Sequence, residues 1–122
     1  MANVKESLDR IMETEGALGA CVVDSSSGMM LGSIGGGAHF NVEVAAAGNT
    51  EVVRAKRKTM RSLNLNDTIE DILITLNRQY HIIRLCESND ALFVYVVLDR
   101  NRANLAMARL QLGQIEKEMQ IA

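Results

Sequence analysis

The chain has 122 residues and a mass of 13.4 kDa, the size of one domain over residues 1–122. Area scaling gives roughly 6,500 Å² folded against about 19,000 Å² extended, so about two-thirds of the surface can be buried and a core needs no covalent staples. Apolar residues make up 48%, charged residues 23%, and the formal net charge is -2. This excludes a disordered or collagen-like chain and argues against nucleic acid or an anionic membrane as partner, since binders of either usually carry excess positive charge.

Two cysteines make no disulfide framework and read as buried thiols in a reducing compartment. Met1 to Glu6 is polar, with no apolar core of a signal peptide. The longest near-continuous apolar run, Ala91 to Leu98, is too short to span a bilayer as a helix. The expectation is a cytoplasmic protein with no membrane insertion. Proline is absent, which permits long unbroken elements. Phe40, Tyr80, Phe93 and Tyr95 are the only benzene-type rings, too few and too scattered for a stacking platform on single-stranded nucleic acid.

Val4, Leu8, Ile11 and Met12 fall at helical spacing, with Ala2 or Asn3 opening the helix and Gly16 closing it. Ala17 to Asp24 reads as a strand. Ser25 to Gly28 reads as a hairpin turn and Met29 to Ser33 as the partner strand. Ile34 to His39, with three consecutive glycines, reads as a mobile loop. From Asn41 to Ser62 the composition is helical. Asn41 suits an N-cap, Glu43 the first turn, and a run of cations the C-terminal half, where the helix dipole favours positive charge. Three strand-like runs follow, Thr68 to Leu76, Tyr80 to Glu87 and Ala91 to Leu98. The joins, Asn77-Arg78-Gln79 and Ser88-Asn89-Asp90, are short enough to require an antiparallel meander. Asp99 or Asn101 then caps a last helix reaching about Gln120. Its apolar stripe is Leu105, Ala108, Leu112, Ile115 and Met119, widened by Ala103, Met107 and Leu110.

The order is α-β-β-α-β-β-β-α. In the last strand Leu92, Val94, Val96 and Leu98 share one face, and Phe93, Tyr95 and Val97 the other. In the first strand Leu18, Ala20 and Val22 oppose Cys21 and Val23. Strands apolar on both faces must be covered on both. The inference is an α+β fold: a five-stranded antiparallel sheet with helices on each side.

This order resembles the Roadblock family, the dynein light-chain Roadblock type with bacterial and archaeal relatives that regulate Ras-like GTPases. The resemblance is carried by Gly16-Ala17-Leu18-Gly19-Ala20-Cys21-Val22-Val23-Asp24 into Gly28-Met29-Met30-Leu31-Gly32. It is carried equally by Leu92-Phe93-Val94-Tyr95-Val96-Val97-Leu98-Asp99 into Ala103-Asn104-Leu105-Ala106-Met107-Ala108-Arg109. It covers essentially the whole chain, as a diffuse pattern of apolar runs and turns. It implies one long helix on one sheet face and two terminal helices on the other. It further implies homodimers through the long helix and the middle-strand edge, and a scaffold or regulator that acts beside a small GTPase without binding nucleotide.

No catalytic, cofactor or metal constellation stands out. Gly35-Gly36-Gly37 lacks the Lys-Ser/Thr that a phosphate loop needs. Cys21 and Cys86 lie in apolar strands, where a reactive thiol needs a positive, partly exposed setting. His39 and His81 with the two cysteines show no zinc-ligand spacing. Asp67, Glu70 and Asp71 form an acidic cluster that reads as solvated, and no serine sits in G-x-S-x-G.

Two features of the long helix stand out. Arg54, Arg57, Lys58 and Arg61 fall on one helical face; this is a solvated face complementing the helix C-terminus, a docking face for an acidic protein surface, or a contact for phosphate or lipid. Val42, Ala45, Ala46, Val52, Val53 and Met60 form a broad side suited to the sheet. Val44, Ala47, Gly48, Ala55 and Thr59 form a second strip of small residues, suited to close approach of another helix. With Ile72 and Ile74 of the middle strand, that strip is the candidate dimer interface. The leading reading is a non-enzymatic homodimer that binds a Ras-like small GTPase. Its rivals are a small-ligand sensor of profilin-like or PAS-like architecture, which needs a sizeable pocket with convergent polar groups, and a small enzyme using Cys21 or Cys86.

Overall fold

The computed structural model describes residues 2–37 and 40–120. The elements are α1 (Val4–Met12), β1 (Ala17–Asp24), β2 (Met29–Gly35), α2 (Val42–Ser62), β3 (Asp71–Thr75), β4 (Gln79–Leu85), β5 (Leu92–Asp99) and α3 (Leu105–Glu118). The order is the expected one. All five strands form one sheet in the order β2-β1-β5-β4-β3, with every neighbouring pair antiparallel. The hairpin β1–β2 and the meander β3–β4–β5 are joined by pairing of β1 with β5. β2 and β3 are the edges.

Each sheet face has its own core. On one side Ala20, Val22, Ile82, Val94, Val96 and Leu98 pack with Leu8 and Ile11 of α1 and Ala108, Leu112 and Ile115 of α3. On the other, Cys21, Val23, Ile83, Phe93, Tyr95 and Val97 pack with Ala46 and Val53 of α2. The alternation expected along β5 therefore holds at every residue. Phe93 is fully buried, a contribution of about 2–3 kcal/mol. The two ends of the first core are tied together: Ala2 pairs with Met119 in a short parallel bridge, and Arg10 Nη1 meets Glu118 at 2.6 Å.

Several expectations need correction. Leu18 lies on the α2 side, with Cys21 and Val23, not with Ala20 and Val22. A β-bulge makes it the extra residue between Ala17, opposite Leu98, and Gly19, opposite Val97, and a one-residue slip exchanges faces. β2 takes in Ile34 and Gly35, which the sequence assigns to the glycine loop. Gly19 pairs with Gly35, and a Cβ on Gly19 would stand 2.5 Å from Gly36 N, so only glycine allows that approach. Ala38 and His39, the end of that loop, lie outside the described residues.

β3 is shorter than Thr68 to Leu76. The residues from 63 to 70 instead carry the chain from α2 to the sheet edge. The last helix is capped by Asn104, whose Oδ1 accepts from Met107 N. Asp99 closes a preceding turn, accepting from Asn101 N, so neither Asp99 nor Asn101 is the cap. No helix among the described residues is long and apolar enough to cross a membrane.

Candidate functional site

α2 carries most of the candidate site residues, the exceptions being Ile72 and Ile74 on β3. Asn41 caps it, its Oδ1 accepting from Val44 N, and Glu43 occupies the first turn, where the dipole favours an anion. The buried stripe is Ala46, Thr50 and Val53. Val52, expected on the sheet side, is 37% exposed, and Thr50 takes the buried place. Thr50 tolerates burial because its hydroxyl donates to Ala46 O at 2.7 Å.

The opposite side of α2 carries the strip of small residues. Val44, Ala47, Gly48, Ala55 and Thr59 are all exposed. Val44 is 68% exposed, and a Cβ built on Gly48 meets nothing within 4 Å. The long helix thus has one face on its own sheet and one facing outward. Ile72 and Ile74 stand half-buried on β3, whose outer edge carries no strand among the described residues.

The four cations of the basic face divide into two pairs. Arg54 Nη2 donates to Ser25 O at 2.9 Å and Ser26 O at 3.1 Å, while its Nη1 meets Glu51 at 3.0 Å. Arg57 Nη2 donates to Asp90 O at 2.5 Å. Ser25 in turn donates through its amide and hydroxyl to Ala91 O. Two arginines of α2 therefore hold the β1–β2 and β4–β5 turns in one cluster. Lys58 and Arg61 are exposed, and among the described residues no hydrogen bond or ion pair engages either side chain.

The acidic cluster is not simply solvated. Asp71 receives both Nε and Nη2 of Arg109, at 3.0 and 2.7 Å, and Glu70 receives Arg84 Nη1 at 3.1 Å. Arg84 also bonds Glu116 of α3, whose other oxygen accepts from Glu87 N. Burial alone would lower the Arg84 pKa, but the hydrogen bonds and charges of Glu116 and Glu70 outweigh it and raise it. Sequence reasoning missed this network. Its only signals were charges inside apolar elements, Arg84 in a strand and Glu116 beside Ile115 in the last helix.

Arg84 and Glu116 line an open cleft of about 650 Å³ between the C-terminal turn of α2, the residues from 65 to 70, β4 and α3. Its most buried polar groups already satisfy one another, which leaves little for a small ligand to complete. Both thiols are buried, and burial pushes Cys21 and Cys86 up to about 12, so neither is a thiolate at neutral pH. His81 stands on β4 opposite Val97, on the same sheet face as Tyr95. Its Nδ1 lies 2.9 Å from Tyr95 Oη and its Nε2 lies 2.8 Å from Gln79 Oε1. Burial lowers the His81 pKa and raises that of Tyr95. Among the described residues no three His, Cys, Asp or Glu side chains converge as metal ligands.

No family model and no curated protein matches the chain. Solved structures do. Myxococcus xanthus MglB superposes with a TM-score of 0.82 at 16% identity, over 94% of this chain and 89% of that one. A Roadblock/LC7 domain from Streptomyces avermitilis superposes with a TM-score of 0.78 at 9% identity, over 95% and 93%. The chain has the Roadblock fold. MglB in a tetrameric arrangement shares it, with a TM-score of 0.78 at 15% identity over 93% and 82%. Among the described residues no other element covers the outward face of α2 or pairs with the outer edge of β3.

Proposed function

We propose that the protein is a non-enzymatic regulator or scaffold that works as a homodimer and binds a Ras-like small GTPase. The observation that carries this reading is the outward face of α2: five small residues at close-packing spacing, opposite the sheet, in a chain with the Roadblock fold. Gly48, with open space before it, lets a second helix come close. The exposed edge of β3, with Ile72 and Ile74, offers unpaired backbone to the same partner. A neighbour described with a tetrameric arrangement supports self-association. The resemblance to Roadblock regulators supplies the GTPase. The chain's glycine loop, lacking the lysine and hydroxyl of a phosphate loop, is consistent with a protein that leaves nucleotide binding to its partner.

Charge gives the docking surface. Lys58 and Arg61 are the members of the basic face available to an acidic partner, while Arg54 and Arg57 hold the adjacent turns in shape. Complementary charge raises the association rate and sets orientation more than it adds affinity. The deciding experiment is a pull-down, with a GTP-hydrolysis assay, against the organism's own Ras-like GTPases. Binding in at least one nucleotide state is expected. Reversal of Lys58 and Arg61 to Glu should slow association and flatten its salt dependence. Failure to bind any of them in either state overturns the reading.

A further inference from the structure

We propose that the β2 edge is a second docking site, one that takes an extended, uncharged strand from a different protein by β-augmentation. β2 pairs with β1 on one side only. Its seven residues, MMLGSIG, contain no charge and no proline, so two of the devices that blunt an edge strand are missing. A third, a bulge, is present. Val22 pairs with Gly32 and Val23 with Met30, which leaves Leu31 as a bulged residue. Leu31 is 44% exposed and Met29 69%.

The bulge places Leu31 in a groove of about 650 Å³ between β2 and α1, walled by Val4, Leu8 and Ile34. Gly32 makes that groove, because a Cβ there would stand 3.0 Å from Val4 Cγ1 and 3.2 Å from Leu8 Cδ1. α1 can therefore lie close along the rim of the strand. An open backbone ladder beside an apolar slot is what recognition of an extended peptide requires. The ladder supplies affinity, and the slot selects an apolar side chain at alternate positions. The rim charges, Lys5 and Asp9, pair with each other at 3.5 Å, which favours an uncharged segment.

The occupant is not a second copy. This step rests on the β3 pairing proposed above: a sheet that joined copies of itself at both ends would grow without closing. A strand from another chain terminates it.

The probe is a capped seven-residue peptide of alternating threonine and valine, matched to the length of β2 and titrated into isotopically labelled protein. Amide shifts should map to Met29–Gly35 and to Val4 and Leu8, with β2 amide exchange slowed. Leu31→Lys puts a charge in the slot and should weaken binding roughly tenfold or more, while the melting curve stays close to wild type because Leu31 is half-exposed. Met29→Lys repeats the test from the other exposed apolar residue of the strand. No shifts up to about millimolar peptide, or shifts confined to β3, overturn the proposal. So does a wild-type assembly larger than a dimer that Leu31→Lys reduces to a dimer, because the edge then takes a copy of the chain. A monomeric wild type that still binds the peptide at β2 removes the dimer reading and supports this one.

Discussion

Arg84 Nε lies 3.2 Å from a Glu116 carboxylate oxygen, and the two side chains are only 11% and 1% exposed. The pair fastens α3 to the end of β4, and the second Glu116 oxygen adds the amide of Glu87. Removing Glu116 leaves the buried Arg84 with only the exposed Glu70 as its partner. Glu116→Ala should therefore cost about 3–5 kcal/mol, whereas replacing both Arg84 and Glu116 by apolar residues should recover much of that loss. Urea-unfolding midpoints of the two variants check this. Equal destabilisation by both would show that the pair itself supplies stability.

The Arg54 tether gives a contrast within one helix. Arg54→Ala loses two hydrogen bonds to the Ser25 and Ser26 carbonyls and should cost about 1 kcal/mol. It should also speed amide exchange in the Ser25 to Gly28 turn. Lys58→Ala, which breaks no hydrogen bond or ion pair, should stay within about 0.5 kcal/mol of wild type.

Much of this architecture is legible in the sequence, and the exceptions share a cause. β5 shows its two faces because each is apolar and the strand is regular. β1 hides the face of Leu18 because the bulge that moves it depends on pairing with β5, not on local composition. The outward strip of α2 is visible as a spacing of small residues. The burial of Thr50 in place of Val52 is not, since it turns on a hydroxyl bonded back to the helix. Arg84 and Glu116 are 32 positions apart, and a pair that remote leaves no periodic trace. Arg54 and Arg57 read as ordinary helix cations because their partners are turn carbonyls, which any residue carries.

His81 gives a pH dependence with a definite sign. Burial lowers its pKa from the ordinary 6.5, so the unfolded chain binds the proton more readily than the fold does. Its contribution is complete above about pH 6.5 and is lost as pH falls through that value toward the lower folded pKa. The neutral ring donates through Nε2 to Gln79 and accepts at Nδ1 from Tyr95, and a proton on Nδ1 removes that acceptor. Stability by urea should fall between about pH 7.5 and 5.5, and His81→Gln should flatten that part of the profile.

The functional reading stands on a second copy covering the outward face of α2. Sedimentation equilibrium at micromolar concentration, on wild type and on Gly48→Glu, tests this most directly. The account predicts a wild-type mass of twice the 13.4 kDa chain and a folded Gly48→Glu monomer, because the new side chain enters space that is open in the single chain and closed in the pair. A wild-type protein that sediments at 13.4 kDa, or a Gly48→Glu variant that remains associated to the same degree, would contradict it.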